Sequence, residues 1–447
     1  MPRLLSEQQI ADIYNAFDPF RPLEPGDAFY VDCHAVRGND NIVRELGRRI
    51  QRSNQPTYQL YTGHRGVGKS TELKRLQQHL NANGFKVVYF AADEDIDEDD
   101  TQYTDILLAC TRHILEDLRD QANPSPLTNW LKSRWNELKG LALSDVEFDK
   151  LEINAQISQF SKLTATLRQV PSTRDTIRKQ VDAHSISLID ALNEFIVEAK
   201  QTLGHGNLVV IADNLDRIVP CPRDDGKTNH DEIFIDRSGQ LRKLDCHVIY
   251  TVPISLVYSN RATQLRDSYG DCQVLPMVMV RYPDGSLNEP GFNKVKELIR
   301  KRVERHAPNA DLETAIFDQT DTLNQICLAS GGHMREVMQL MQTSLDWTDT
   351  FPIQAVAVRQ AITRARNTYR ATVDATDWAK LAVVHRTKSL PNEDDYRNLL
   401  FNRCVLEYRY ADDQGEIQRW HNVHPLIEGI DEFKTALNHH DRHEPES

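Results

Sequence analysis

One nine-residue stretch, Gly63-His64-Arg65-Gly66-Val67-Gly68-Lys69-Ser70-Thr71, has the composition of a phosphate-binding loop. It fits G-x-x-x-x-G-K-[ST], a loop whose backbone N–H groups curl around phosphates. Lys69 is placed to reach the terminal phosphates and the Ser70 hydroxyl to ligate Mg²⁺. The flanks fit the same chemistry. Tyr58 to Tyr61 predicts a short buried strand. Leu73, Leu76 and Leu80 recur at helical spacing, and Gly84 closes that helix. Strand, glycine-rich loop and helix bring a helix N-terminus to the phosphate site.

A second candidate is Asn207 to Asp216, NLVVIADNLD. Leu208 to Ala212 predicts a buried strand with Asp213 at its carboxyl end, where ligands of α/β sheets gather. An aspartate there can hold Mg²⁺. The neighbouring position, where a base or water-orienting group is expected, is Asn214, and an amide cannot accept a proton at neutral pH. Asp216 is the nearest carboxylate along the chain. Slow hydrolysis follows, with Asp216 as base or as helper to Asn214, and Asn214→Asp should then raise turnover. Thr251, near the end of the strand His247 to Ile254, is placed either to touch the γ-phosphate or attacking water, or as an ordinary strand-end hydroxyl. Arg266 precedes the predicted strand Val274 to Val280. It reads as an arginine acting on a neighbouring copy's nucleotide or as an exposed helical cation. Arg335 follows Ser330-Gly331-Gly332 in the first turn of a helix, where a cation is disfavoured unless a phosphate answers it.

These groups need a scaffold. At 447 residues the chain is long enough for several domains, and its net charge of −13 argues against broad nucleic-acid coating. No apolar run reaches the roughly 20 residues that cross a bilayer, and the N-terminus lacks a signal-peptide core. The seven cysteines are scattered, which predicts reduced thiols in a cytoplasmic protein and no structural zinc.

Along the chain, Ser6 to Phe17 predicts a helix with a Ser6/Gln9 capping box. Residues 1–27 are that helix and a proline-rich linker. Residues 28–280 are the nucleotide core. Ala28 to Asp32 and Val36-Arg37-Gly38 either lie over an adenine base or form a surface strand entering the core. Phe85 to Ala91 is the second strand. The acid run from Asp93 to Asp100 predicts a solvated loop. Residues 101–207 read as an insertion: helices around 106–118, 130–143 and 187–203, and a β-hairpin where Leu151 to Leu167 alternates. It is either a partner surface or an extension of the core. Pro220 to Asp236 predicts a loop and Ser255 to Ser268 a helix. Residues 281–350 read as a helical lid. Residues 351–436 read helix, helix, helix and hairpin, a winged-helix order, the third helix capped by Asn392 and the hairpin turning at Asp412 to Gly415. Residues 437–447 are a polar tail.

The ensemble GHRGVGKST, VVIADNLD, YTVPI, SGGHMRE and the terminal winged helix, over residues 28–430, resembles P-loop ATPases of the AAA+/STAND superclass, especially those near the origin-recognition clade. The resemblance implies an α/β fold: a parallel-sheet, AAA+-like P-loop NTPase core with a helical lid and a C-terminal winged-helix domain. It implies ATP or ADP with Mg²⁺. Gly63, His64, Arg65, Gly66, Val67, Gly68, Lys69, Ser70 and Thr71 take the place of Walker A, and Asp213 that of Walker B. Thr251 looks like sensor 1 and Arg335 like sensor 2. Arg37 falls in the family's nucleotide-proximal N-terminal motif. Val423-His424-Pro425-Leu426 resembles the motif whose histidine touches ADP in the closed state. The chain departs at Pro425 and Asn214, where the family has acidic residues, and no arginine closely follows Thr251.

The expected function is a slowly hydrolysing regulatory switch. ATP would favour homo-oligomeric assembly or engage a separately encoded effector, with antiviral defence as one setting the resemblance implies. The alternative is a DNA-handling ATPase reading duplex through the winged helix, although that helix opens with Asn392-Glu393-Asp394-Asp395. A third reading is a nucleotide-binding scaffold without turnover. None of the three involves a membrane.

Overall fold

The computed structural model describes residues 5–38, 41–138, 148, 151–204, 207–223 and 226–441. The chain divides into two compact units. One comprises Met1–Asn41, Gly63–Glu72 and Val274–Ser447, the other Ile42–Thr62 and Leu73–Gln273. The division cuts through two strands and the helix Lys69–Ala82 rather than through linkers.

The sheet consists of β1 (Tyr58–Gly63), β2 (Lys86–Ala91), β3 (Leu208–Asp213), β4 (His247–Thr251) and β5 (Gln273–Leu275), in the order β2-β3-β4-β1-β5. β2 pairs with β3, β3 with β4 and β4 with β1, all in parallel. Ala91 lies opposite Asp213 and Tyr61 opposite Thr251. Every residue of β3 and β4 is buried, as in parallel sheets covered on both faces. β5 stops at Leu275, short of the expected Val280. Beyond it the chain turns its backbone donors elsewhere: Met277 N–H bonds Glu407 O and Met279 N–H bonds Val36 O.

The insertion is helical where described: Tyr103–Leu118, Ile153–Gln169, Pro171–Ala183 and Ser185–Thr202. The expected hairpin over Leu151 to Leu167 is therefore corrected to a helix. Its buried residues Ile157, Phe160, Leu163 and Leu167 follow the helical period, and the alternation that suggested strands was incidental. The helix expected over 130–143 is broken into Ser125–Lys132 and Trp135–Leu138, and its end lies outside the described residues. Ser255 to Ser268 is likewise two helices, Ile254–Val257 and Ala262–Tyr269. In the expected loop before Asp236, a Thr228/Asp231 capping box starts helical structure that runs from Asn229 to Asp236.

The acid run is solvated only in part: Glu94, Asp99 and Asp100 are exposed, but several of its carboxylates are paired. Asp95 is buried between Arg112 and His113. Arg174 binds Asp97 and Asp100, and Arg178 binds Asp100 and Asp105. Arg174 and Arg178 lie on one face of Pro171–Ala183, four residues apart. The insertion thus fastens the segment that follows β2.

In the other unit the helix Glu7–Ala16 carries the expected capping box. Ala28 to Asp32 forms no strand. The helices Glu289–His306, Thr320–Ala329 and Met334–Asp346 precede Ala355–Thr372, Asp377–Thr387 and Asp394–Phe401. The last of these has Glu393, not Asn392, at its cap position. β6 (Val405–Ala411) and β7 (Ile417–Val423) form an antiparallel pair that fits the wing of a winged helix. Asp431–Asp441 extends helix into the expected tail. No helix among the described residues is long and apolar enough to cross a membrane.

Candidate functional site

The glycine-rich loop leaves β1 at Gly63 and enters the helix Lys69–Ala82. Lys69 is buried, its Nζ donating to Gly63 O at 2.8 Å and His64 O at 2.9 Å. Gly68 has φ +109°, and nothing lies within 4 Å of where a Cβ would stand. The backbone at Gly68 is therefore uncrowded beside the first turn of Lys69–Ala82, and a helix N-terminus suits a phosphate. Ser70 and Thr71 occupy the first helical turn. Thr71 Oγ1 accepts from Leu23 N–H at 3.0 Å, so Thr71 ties the N-terminal linker to the loop.

Four consecutive loop residues are held by three other segments of the same unit. His64 Nε2 accepts from Glu407 N–H at 3.0 Å. Arg65 O accepts from His333 Nε2 at 2.6 Å. Gly66 O accepts from Arg335 N–H at 3.1 Å, and Val67 O from Arg37 Nη2 at 2.9 Å. The bonds settle the imidazole tautomers. His333 Nδ1 accepts from Glu336 N–H, so its Nε2 carries the proton. His64 Nε2 is an acceptor, so its Nδ1 carries the proton, and that buried atom has no partner among the described residues. Burial pushes His64 down to about 3 and His333 well below the usual imidazole range. Both rings are neutral at pH 7.

Of the residues expected to touch nucleotide, Arg37 is thus occupied with the loop backbone. Arg335 Nε donates to Pro19 O at 3.2 Å, and its guanidinium lies over the Phe20 ring at 5.6 Å. His424 is fully buried and caps Pro425–Glu428 by accepting from Leu426 N–H at Nδ1. Its ring stacks on Tyr369 at 4.6 Å. His424 Nε2 then carries a proton with no acceptor among the described residues. A buried N–H in that state is costly, and a phosphate oxygen would satisfy it. The glycine-rich loop at a helix N-terminus and this orphaned donor both fit a nucleotide.

In the sheet unit, Asp213 is buried and accepts from the Tyr89 hydroxyl and from Asn214 N–H, each at 2.7 Å. Asn214 adopts a left-handed conformation (φ +66°), which asparagine tolerates. Its Nδ2 donates to Asp93 Oδ1 at 2.7 Å, and Arg217 Nη1 binds Asp93 Oδ2 at 2.6 Å. Thr251 Oγ1 accepts from Leu215 N–H at 2.9 Å and donates to Ala212 O at 3.4 Å. The Thr251 hydroxyl therefore fixes the turn after β3. Asp216 lies buried in that turn, Leu215–Arg217. Arg266 lies apart from this cluster, exposed and ion-paired with Asp271 at 2.7 Å.

Sequence reasoning missed Asp93 and His333. Asp93 stood inside an acid run whose pairing partners are distant in sequence. His333 was visible as part of SGGHMRE, but nothing local marked its ring as a ligand of the loop.

Among known proteins, residues 36–224 match the family described as AAA ATPase domain. No curated protein matches the chain. Solved structures with a similar chain trace include the Aeropyrum pernix ORC1 protein in complex with DNA (12% identity, TM-score 0.40, covering 95% of this chain and 96% of that one). A Walker-type ATPase of Pyrococcus abyssi matches at 13% identity and TM-score 0.39, covering 92% and 99%. The Aeropyrum pernix ORC2 protein matches at 10% and 0.42, covering 98% and 99%. The fold is an α/β P-loop core, and residues 36–224 of it resemble an AAA ATPase domain.

Proposed function

We propose that this chain is an ATP-binding, slowly hydrolysing regulatory ATPase, a switch in which the state of the phosphate loop is read by the lid and C-terminal hairpin. The observation that supports this most is the row of bonds from Glu407, His333, Arg335 and Arg37 to loop residues 64 to 67. A loop so tied cannot change shape on binding phosphates without disturbing those segments. Nucleotide then shifts the equilibrium by its differential affinity for the two arrangements.

On the motif reading Lys69 holds the β- and γ-phosphates, and Ser70 and Asp213 hold the Mg²⁺ that neutralises them. The switched output is homo-oligomeric assembly or a separately encoded effector, with Arg266 acting on a neighbouring copy. Bacterial antiviral defence is the setting the sequence resemblance implies. The test is to denature the purified protein and quantify the nucleotide released. About one ADP per chain, absent from Lys69→Ala, is the result expected of a latched switch. A wild-type chain that neither retains nor binds ATP or ADP would refute it.

A second reading, a DNA-binding AAA+ ATPase, is favoured by the order of Asp377–Thr387, Asp394–Phe401 and the β6–β7 hairpin. Against it, Lys380 is bound to Asp377 and Asp395, and Arg397 to Asp394, so nearby cations are already neutralised. Duplex affinity that falls steeply with salt would select this second reading.

A further inference from the structure

We propose that the cavity between the N-terminal linker, the helices Met334–Asp346 and Ala355–Thr372 and the turn at Arg403 binds a phosphorylated nucleotide, separate from the one assigned to the phosphate loop. The cavity has a volume of about 610 Å³, within the size range of small-ligand sites. All of its lining residues belong to one of the two compact units. Of loop residues 63 to 71 only Arg65 lines it. Lys69 and Ser70, which the motif reading gives to ATP and Mg²⁺, stay off its wall. The site goes beyond the loop's own nucleotide and does not depend on the switch reading above.

The wall is cationic. Arg65, Arg335, Arg364 and Arg403 line it together with Glu336 and Asp346, so four guanidinium groups outnumber two carboxylates. Arginine suits phosphate, because its planar fork gives two parallel N–H bonds to one anion. Arg403 is held there against local preference. The helix Asp394–Phe401 ends with Arg403 N–H on Leu400 O and Cys404 N–H on Leu399 O. Those paired bonds set a left-handed residue, usually glycine, at position 403. Arg403 takes that conformation, at φ +64°, where a residue with a Cβ is disfavoured. The turn thereby brings a guanidinium to the cavity wall. Among the described residues, the guanidinium groups of Arg364 and Arg403 have no hydrogen-bond or ion-pair partner. Phe20 selects a nucleotide over a bare phosphate. Its ring lines the same cavity, is 72% exposed and has the Arg335 guanidinium over it at 5.6 Å. A base can stack on such a ring while its phosphates lie on the arginines.

The experiment titrates pyrophosphate and ADP, by calorimetry, into the full-length Lys69→Ala chain, which lacks the lysine of the loop's own site. Arg403→Gly, Arg364→Gln and Phe20→Ala are each added to that background and checked for a native thermal transition. Arg403→Gly supplies the residue the turn prefers, so its midpoint should not fall. Lys69→Ala should bind both probes with Kd of about 1 mM or below, ADP the tighter. Each arginine variant should weaken both probes by at least about tenfold. Phe20→Ala should weaken ADP by at least about fivefold and leave pyrophosphate unchanged. No binding of either probe by Lys69→Ala, or binding that both arginine variants leave undiminished, overturns the proposal. An ADP affinity unchanged in Phe20→Ala overturns the nucleotide assignment. A wild type that binds no ATP removes the switch, and the Lys69→Ala titration still decides the cavity.

Discussion

Glu407 donates its backbone N–H to His64 Nε2 at 3.0 Å across 343 residues of sequence. One end of this bond is a variable position of the phosphate loop, the other a residue of β6 in the C-terminal hairpin. Both residues are buried. The donor has no water to turn to when the imidazole is removed. His64→Ala should therefore cost about 1–3 kcal/mol for the unpaired N–H, with more for the cavity. Urea denaturation of the full chain measures it. An unchanged midpoint would show that the bond contributes nothing.

Acid should loosen the same unit. His64 is pushed down to about 3 and His421 to about 4 by burial, and His333 and His424 are well below the usual range. Glu407 opposes this shift at His64 and His421, whereas Lys69 and Arg403 add to the depression at His64. Folded rings stay neutral where unfolded ones, with pKa about 6.5, take up protons. Stability is thus complete above about pH 6.5 and is lost as pH falls towards the folded values. Each ring costs about 1.4 kcal/mol per pH unit in that window. Unfolding midpoints at pH 7.5 and 5.5 test this, and equal midpoints would contradict it.

Thr251→Val keeps the side-chain shape but removes the acceptor of Leu215 N–H. The expected loss is about 1–3 kcal/mol, together with reduced turnover, because the turn carries Asn214 and Arg217. Thr251→Ser, which keeps the hydroxyl, should restore both. A valine variant as stable and active as the serine variant would assign Thr251 no role in the turn.

Gly66→Ala should impair nucleotide binding without unfolding the sheet unit. Gly66 has φ +86°, and a Cβ there would stand 2.7 Å from Arg335 Cβ, so the loop and the start of Met334–Asp346 must part. Titration with a fluorescent ATP analogue should show at least about tenfold weaker binding (~1.4 kcal/mol), within the usual cost of strained backbone. Wild-type affinity would mean that the loop and that helix separate freely.

Local signals marked the loop, the buried strands and the capped helices, because glycine spacing, apolar runs and caps are properties of neighbouring residues. Long-range pairing was not legible. The acid run looked solvated because Arg112, Arg174, Arg178 and Arg217, which neutralise it, are distributed over three later segments. Asp93 was hidden for the same reason. Alternation over Leu151 to Leu167 imitated strands, whereas the contacts that decide, at Ile157, Phe160 and Leu163, repeat on a helix. His64 occupied a position the motif leaves free, and only the fold reveals that Glu407 uses it.

Hydrogen exchange at the Glu407 amide reads the coupling of hairpin to loop at its source, since that N–H is itself the link. The full chain is compared nucleotide-free, with ADP and with a non-hydrolysable ATP analogue, reading the peptide that covers Val405–Ala411. Protection of Glu407 should change between nucleotide states, and Lys69→Ala should abolish the change. Identical exchange in all three states, with nucleotide shown to be bound, would contradict a hairpin that reads the phosphate loop.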